Sequence, residues 1–405
     1  MSHQLGDSPS QPTERPQRRY YLDWLRVFAV LLLFPFHAAA IFYNGELGEF
    51  YLQNDRTSLV MDGLVLFIHQ WHMPLFFLLS GAATRLALSW RSPQQYVYER
   101  MQRLLIPFGF GILVLVPPLV YYHLLSNPNY PNSYLQFYPQ FFNGIRPKGN
   151  FEWGHLWFVI YLFTFSLLAL PFLLYLRQRG AHWQTKLAAF LEKPGAIFWL
   201  AVPFALIEAV LRPRWMGFQN LYDDWANVCL YLLYFICGYL MSADCRFAQA
   251  IARHLRAITI LAAAGMLLWF GLWQTQSVPE RGYSLSYMLY QAFRGTNTWF
   301  WVMTWLGLGQ KYLNFNHPVL RYTSEAAYPF YLLHPPVLIA IGFYVVQWDA
   351  GIMPKFWLIC TTSWLGTGVL YEVLIRRYNL PRLLFGLKPL SRPTTQPSAS
   401  SSPDA

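Results

Sequence analysis

The sequence predicts an all-α integral membrane protein of about ten transmembrane helices with both termini cytoplasmic. Three observations carry this. Of 405 residues, 55% are hydrophobic and only 12% are charged, whereas soluble domains carry about 25% charged residues. Ten stretches come near the roughly 20 apolar residues that cross a bilayer. Basic residues also recur in alternate connections, the usual mark of cytoplasmic loops.

The spans fall at about 21–43, 61–84, 104–124, 154–176, 196–211, 225–243, 257–274, 285–309, 326–347 and 355–375. The fifth is short and contains Pro203 and Glu208. The 17 Trp, 27 Tyr and 32 Phe suit a chain with many membrane–water interfaces. Arg15, Arg18 and Arg19 precede the first span. Arg85 to Arg103, Arg177 to Lys193, Arg246 to Arg256, Lys311 with Arg321, and Arg376 to Arg392 fill the even-numbered connections and the C-terminal segment. The net charge of +11 is therefore mainly a topology signal, and the expected partner is the lipid bilayer with no role for nucleic acid. Cys229, Cys237, Cys245 and Cys360 show no C-x-x-C spacing and read as small packing residues. The first apolar span is too long for a cleavable signal peptide.

Residues 1–17 form a polar arm expected to be disordered, 18–388 a multi-span domain, and 389–405 a low-complexity tail expected to be disordered. The longest outer loop, about 125–153, is rich in Asn, Tyr and Pro. It fits either an aromatic surface for a polar ligand or a plain interfacial loop. No internal repeat is visible.

Chemistry concentrates in the first span, where Arg26 and His37 interrupt a run of Leu, Val, Ala and Phe. Eleven steps of 100° bring both to one helix face, roughly 16 Å apart along the axis. An ionisable group inside a bilayer is by default a functional candidate. Asp23, three residues before Arg26, shares its face and can pair with it. Snorkelling would also explain Arg26, and packing would explain His37. Pro35 releases a backbone carbonyl beside the histidine.

The second span holds His69 and His72 on one face, then Pro74 and the Ser80-Gly81 pair. No carboxylate or cysteine completes a metal set there, so a polar cavity wall is the better reading of the two histidines. Arg100 and Arg103, at i and i+3 before the third span, suit bidentate grip on a phosphate. Gly154-His155-Leu156-Trp157 opens the fourth span, and Tyr328 to His334, followed by two prolines, lies in the ninth. Glu208, Arg294 and Glu372 are further ionisable groups in or near spans.

Taken together, Arg26-x10-His37, HMPLFFLLSG from His72 to Gly81, Arg100-x-x-Arg103, His155-Leu-Trp157 and Tyr331-Leu-Leu-His334 resemble the membrane-bound acyltransferase family 3. The likeness covers about 18–388. It is greatest to the glucan-modifying, glucan succinyltransferase branch through YYLDWLRVFAVLLLFPFH, GHLWF and YEVLIRRYNLPRLLFGLKP. Unlike polysaccharide-acylating branches, HLWFVIYLF contains no glutamate, so acceptor contacts known for those branches do not transfer.

The resemblance implies a membrane O-acyltransferase of the inner membrane. It would move an acetyl- or succinyl-class group from acyl-CoA to a hydroxyl of a carbohydrate such as a periplasmic glucan, with no tightly bound cofactor and no metal. His37 would be the catalytic base, and Arg26, paired with Asp23, would hold the donor phosphates with Arg100 and Arg103. His72, Ser80, His155, Trp157 and His334 are the remaining candidates for binding substrate. A secondary transporter using the buried His, Glu and Arg as a path is the competing reading, and the missing repeat weighs against it. A non-catalytic membrane scaffold is a third.

Overall fold

A computed structural model describes residues 19–45, 51–146, 148–217 and 219–390. The polar arm at 1–17 and the tail from 391 onward lie outside the described residues. The described residues form helices and connecting loops with no strand, only one isolated bridge between Ile145 and Phe151.

Thirteen helices follow in order. They are α1 (Tyr20–Ala40), α2 (Leu59–Trp90), α3 (Pro93–Leu125), α4 (Tyr134–Gln140), α5 (Gly154–Leu168, continued by Leu170–Gln178) and α6 (Ala181–Glu192). Then come α7 (Ala196–Leu211), α8 (Trp225–Met241), α9 (Cys245–Gln274), α10 (Leu285–Tyr312), α11 (Pro318–Val345), α12 (Ile352–Ile375) and α13 (Asn379–Leu384).

A helix stands at each of the ten predicted spans. Six of them (α1, α2, α3, α9, α11 and α12) are long and apolar enough to cross a membrane alone. The two limbs of α5 make a seventh when counted as one span bent by 45° at the Ala169–Leu170 step, where Pro171 removes a donor. The apolar helices α7 and α8 are shorter, and α10 is long but interrupted by Gln291, Arg294 and Asn297. The chain is thus a multi-pass membrane protein with six to seven clear spans.

Several helices outrun their apolar cores. The ninth predicted span begins at about 326, but α11 starts at Pro318, where His317 accepts from the Val319 N–H at 3.3 Å. Likewise α9 starts at Cys245, capped by Asp244, twelve residues before its apolar stretch. Hydropathy reads the hydrocarbon crossing, whereas caps set the helix ends.

Helix α1 sits centrally, packed against α2, α10 and α11. The most extensive contact in the bundle joins α2 to α8. Its cause is a reciprocal pair of glycines. A Cβ on Gly81 would lie 1.8 Å from the Phe235 carbonyl oxygen, and one on Gly238 would lie 1.9 Å from that of Leu78. In lipid, small residues let backbones approach where no hydrophobic force drives helices together.

The ionisable groups in or near the spans are mostly paired. Arg212 bonds Glu208 at 2.6 Å and Asn227 at 2.9 Å, Arg376 bonds Glu372 at 2.9 Å, and Arg382 bonds Glu325 at 2.7 Å. The segment after α3 packs a small aromatic core against it, with Phe137 and Phe141 fully buried beside Tyr134 and Tyr121 of α3. Gly81→Ala should destabilise the detergent-solubilised protein by about 1–3 kcal/mol through overpacking. A thermal-unfolding midpoint equal to that of the unchanged protein would refute the close-approach reading.

Candidate functional site

Prolines organise the bundle interior. A proline cannot donate to the carbonyl four residues earlier, and in hydrocarbon that carbonyl needs another donor. Pro74 releases the Gln70 carbonyl, which accepts from Thr298 Oγ1 at 3.2 Å. Pro117 releases that of Leu113, which accepts from the Tyr138 hydroxyl at 3.0 Å. Pro335 and Pro336 release two successive carbonyls of α11. Tyr331 O takes its bond from His334 Nδ1 at 2.7 Å, and Leu332 O from His155 Nε2 at 3.1 Å.

The donors in these last two bonds fix the tautomers. A carbonyl only accepts, so His334 carries its proton on Nδ1 and presents a lone pair at Nε2. That Nε2 lies 3.3 Å from His37 Nδ1, which is also 3.0 Å from Leu33 O. Two acceptors converge on one nitrogen, so His37 carries its proton on Nδ1. Its basic lone pair is then on Nε2. The His37 and His334 rings lie 4.9 Å apart, with His155 6.1 Å beyond His334. The Tyr331 hydroxyl completes the joint by donating to the His155 carbonyl. Three imidazoles from α1, α5 and α11 thus meet in one cluster. No group of three or more His, Cys, Asp or Glu with metal-holding geometry occurs among the described residues.

The other candidates separate into near and far. His72 donates from Nε2 to Ala29 O at 2.7 Å, so it joins α2 to α1. Its neighbour His69 is exposed and stands 6.2 Å, ring to ring, from Phe36. Trp157 packs with Phe77, Tyr161 and Tyr231 in an aromatic cluster, and Ser80 is half-buried beside the Gly81 contact. Both lie in the packing layer between α2, α5 and α8.

At the other end of α1, Arg26 bonds Asp23 at 2.7 Å, as their spacing predicts, and keeps 39% of its side chain exposed. Pro35 has no N–H to give the Leu31 carbonyl, so the helix breaks at Leu32 between Arg26 and His37, yet both limbs belong to one 21-residue span. Arg100 stacks on Tyr96, its guanidinium carbon 4.8 Å from the ring centroid. Gly386, at φ +70°, abuts both the Arg103 carbonyl and the Tyr328 ring. A side chain there would be strained and 2.6 Å from that ring.

Sequence reasoning did not single out Tyr328 or Tyr331 individually. Their rings stack at 6.2 Å, and Tyr331 lies 6.1 Å from His334. The three residues recur at i, i+3 and i+6, a face-sharing signal visible in the sequence. The Tyr328 hydroxyl is buried without a hydrogen-bond partner, and the charge of Arg100 acts on it. A polar stripe therefore runs along α11 from near Arg100 to the histidines.

A multi-span helical bundle with a histidine cluster at one end of its first helix, half-buried at His37 and buried at His155 and His334, is the class of protein that this geometry defines. Residues 19–372 match the acyltransferase domain family, and the chain belongs to it. It is an acyltransferase. Among curated relatives, it is 24% identical to glucans biosynthesis protein C of Salmonella typhimurium, covering 93% of this chain and 96% of that one. The Salmonella typhi protein of the same name is 24% identical, over 92% and 95% of the two chains. No solved structure matches.

Replacing His155 by Ala would leave the Leu332 carbonyl without a donor, at about 1–3 kcal/mol. Pro336→Ala in the same chain restores an N–H for that carbonyl. The double variant should therefore unfold at a higher temperature than His155→Ala alone. Purely additive effects in this cycle would show that the proline and the histidine are not coupled.

Proposed function

We propose that this protein transfers an acetyl- or succinyl-class acyl group from acyl-CoA to a hydroxyl of a periplasmic glucan, working in the bacterial inner membrane. The observation that carries this reading is the His334–His37 bond. It orients an imidazole whose basic lone pair lies on Nε2, the atom that would act as general base. The name borne by the relatives supports the glucan as acceptor.

His37 Nε2 takes the proton of the acceptor hydroxyl as its oxygen attacks the thioester carbon. The imidazolium that forms is stabilised through Nδ1–H by His334 Nε2 and Leu33 O. The proton then passes to the departing sulfur, and coenzyme A leaves as the thiol. This is the logic of a base held by a third group, with histidine in the orienting role. General-base catalysis of this kind contributes about 10²–10⁴-fold.

In this reading the ten helices at the predicted spans all cross the membrane, and both termini are cytoplasmic. Arg26 then stands near the cytoplasmic surface and His37 in the outer half. Arg26, Arg100 and Arg103 would hold the anionic head of the donor, while its extended arm reaches roughly 16 Å deeper along the helix. Acyl-CoA is a substrate here, and no resident cofactor is invoked.

His37→Ala should abolish acyl transfer in membranes where the protein still accumulates. Normal acylation of the glucan by that variant would sink the mechanism. Arg26→Ala should raise KM for acyl-CoA more than Arg26→Lys does, with KM for the acceptor unchanged. Equal effects of the two substitutions would argue against phosphate recognition.

A further inference from the structure

Arg294 has no carboxylate partner among the described residues, unlike Arg212, Arg376 and Arg382. Its Nη2 donates to Gln70 Oε1 at 3.1 Å, while Gln70 Nε2 donates back to Arg294 O at 3.0 Å. The guanidinium lies over the Trp269 ring at 4.6 Å, and that indole is fixed by a 2.8 Å bond to the Tyr290 hydroxyl. The Arg294 Nε is buried with no acceptor among the described residues. A guanidinium has five N–H donors, and its one protein hydrogen bond uses only the Nη2 nitrogen.

The location gives those donors a purpose. Arg294 is tied by two hydrogen bonds to Gln70, the residue next to His69 on α2. His69 is exposed and reaches the catalytic helix through Phe36, the residue next to His37. A cation held by neutral groups and an aromatic face, with donors to spare, is built to receive an anion from outside the protein.

We propose that Arg294, with His69 beside it, forms an anion subsite that recognises a carboxylate carried by one of the substrates. The inference rests on the acyltransferase reading above. The carboxylate comes either from the far end of a dicarboxylic acyl group or from an acidic substituent on the sugar acceptor. Both sources present the same planar two-oxygen anion to the guanidinium fork.

The purified full-length protein in detergent tests this in two arms. The first compares succinyl-CoA with acetyl-CoA on a neutral glucan. The second compares a carboxylated glucan with a neutral one, using acetyl-CoA. Arg294→Gln should lower the charged-to-neutral ratio of kcat/KM at least tenfold in one arm, and that arm identifies the source. Unchanged ratios in both arms overturn the proposal and leave Arg294 as a clamp on Gln70. If Arg294→Gln does not accumulate, the unaltered protein decides. It should prefer succinyl-CoA to its uncharged amide analogue, or the carboxylated glucan to its amide, and equal use within both pairs also overturns the subsite. Absence of any transfer by the unaltered protein counts against the acyltransferase reading instead.

Discussion

A backbone carbonyl inside hydrocarbon has no water to bond, so each one that loses its helical donor must find another. Pro74, Pro117, Pro335 and Pro336 are four of the prolines that create such carbonyls, and four side chains answer these: Thr298, Tyr138, His334 and His155. Two of the four are the imidazoles beside His37. The polar groups that define the candidate site are therefore also the groups that make the broken helices tolerable. Function and satisfaction of the backbone are met by the same bonds.

That double duty explains why the site sits where three helices meet. His155 reaches from α5 to a carbonyl of α11, His72 from α2 to a carbonyl of α1, and Gln70 and Thr298 tie α2 to α10. Each of these bonds crosses between helices that could otherwise slide, because packing in lipid lacks a hydrophobic drive. The Gly81–Gly238 contact supplies the complementary steric fit between α2 and α8.

Much of this was legible in the sequence, and the reason is physical. Apolar runs located a helix at each of ten places, and the i, i+3 spacing of Asp23 and Arg26 anticipated their pairing. His37, His155 and His334 could be nominated because polar groups are conspicuous in such runs, but their meeting could not be read. Bringing His334 to His37 depends on tertiary packing between α1 and α11. The prolines held a clue that a local reading passes over, since Pro335 and Pro336 point by simple subtraction to Tyr331 and Leu332. Helix ends were less legible because caps such as Asp244 and His317 lie outside the apolar pattern. Arg294 was visible as a charge, yet its lack of an acidic partner is a fact of three dimensions alone.

The partnerships of the first helix also differ in how far along the chain they reach. Arg26 finds its counter-charge three residues away, so α1 can enter the bilayer during synthesis with that charge already softened. His37 has Leu33 O four residues before it, but its imidazole partner His334 lies 297 residues downstream. Nearly the whole polypeptide has to be made and inserted before the imidazole pair exists. Under the proposed mechanism, a nascent or truncated chain lacking α11 would hold Arg26 and His37 without the His334 imidazole, so the order of synthesis itself keeps the unfinished protein chemically silent.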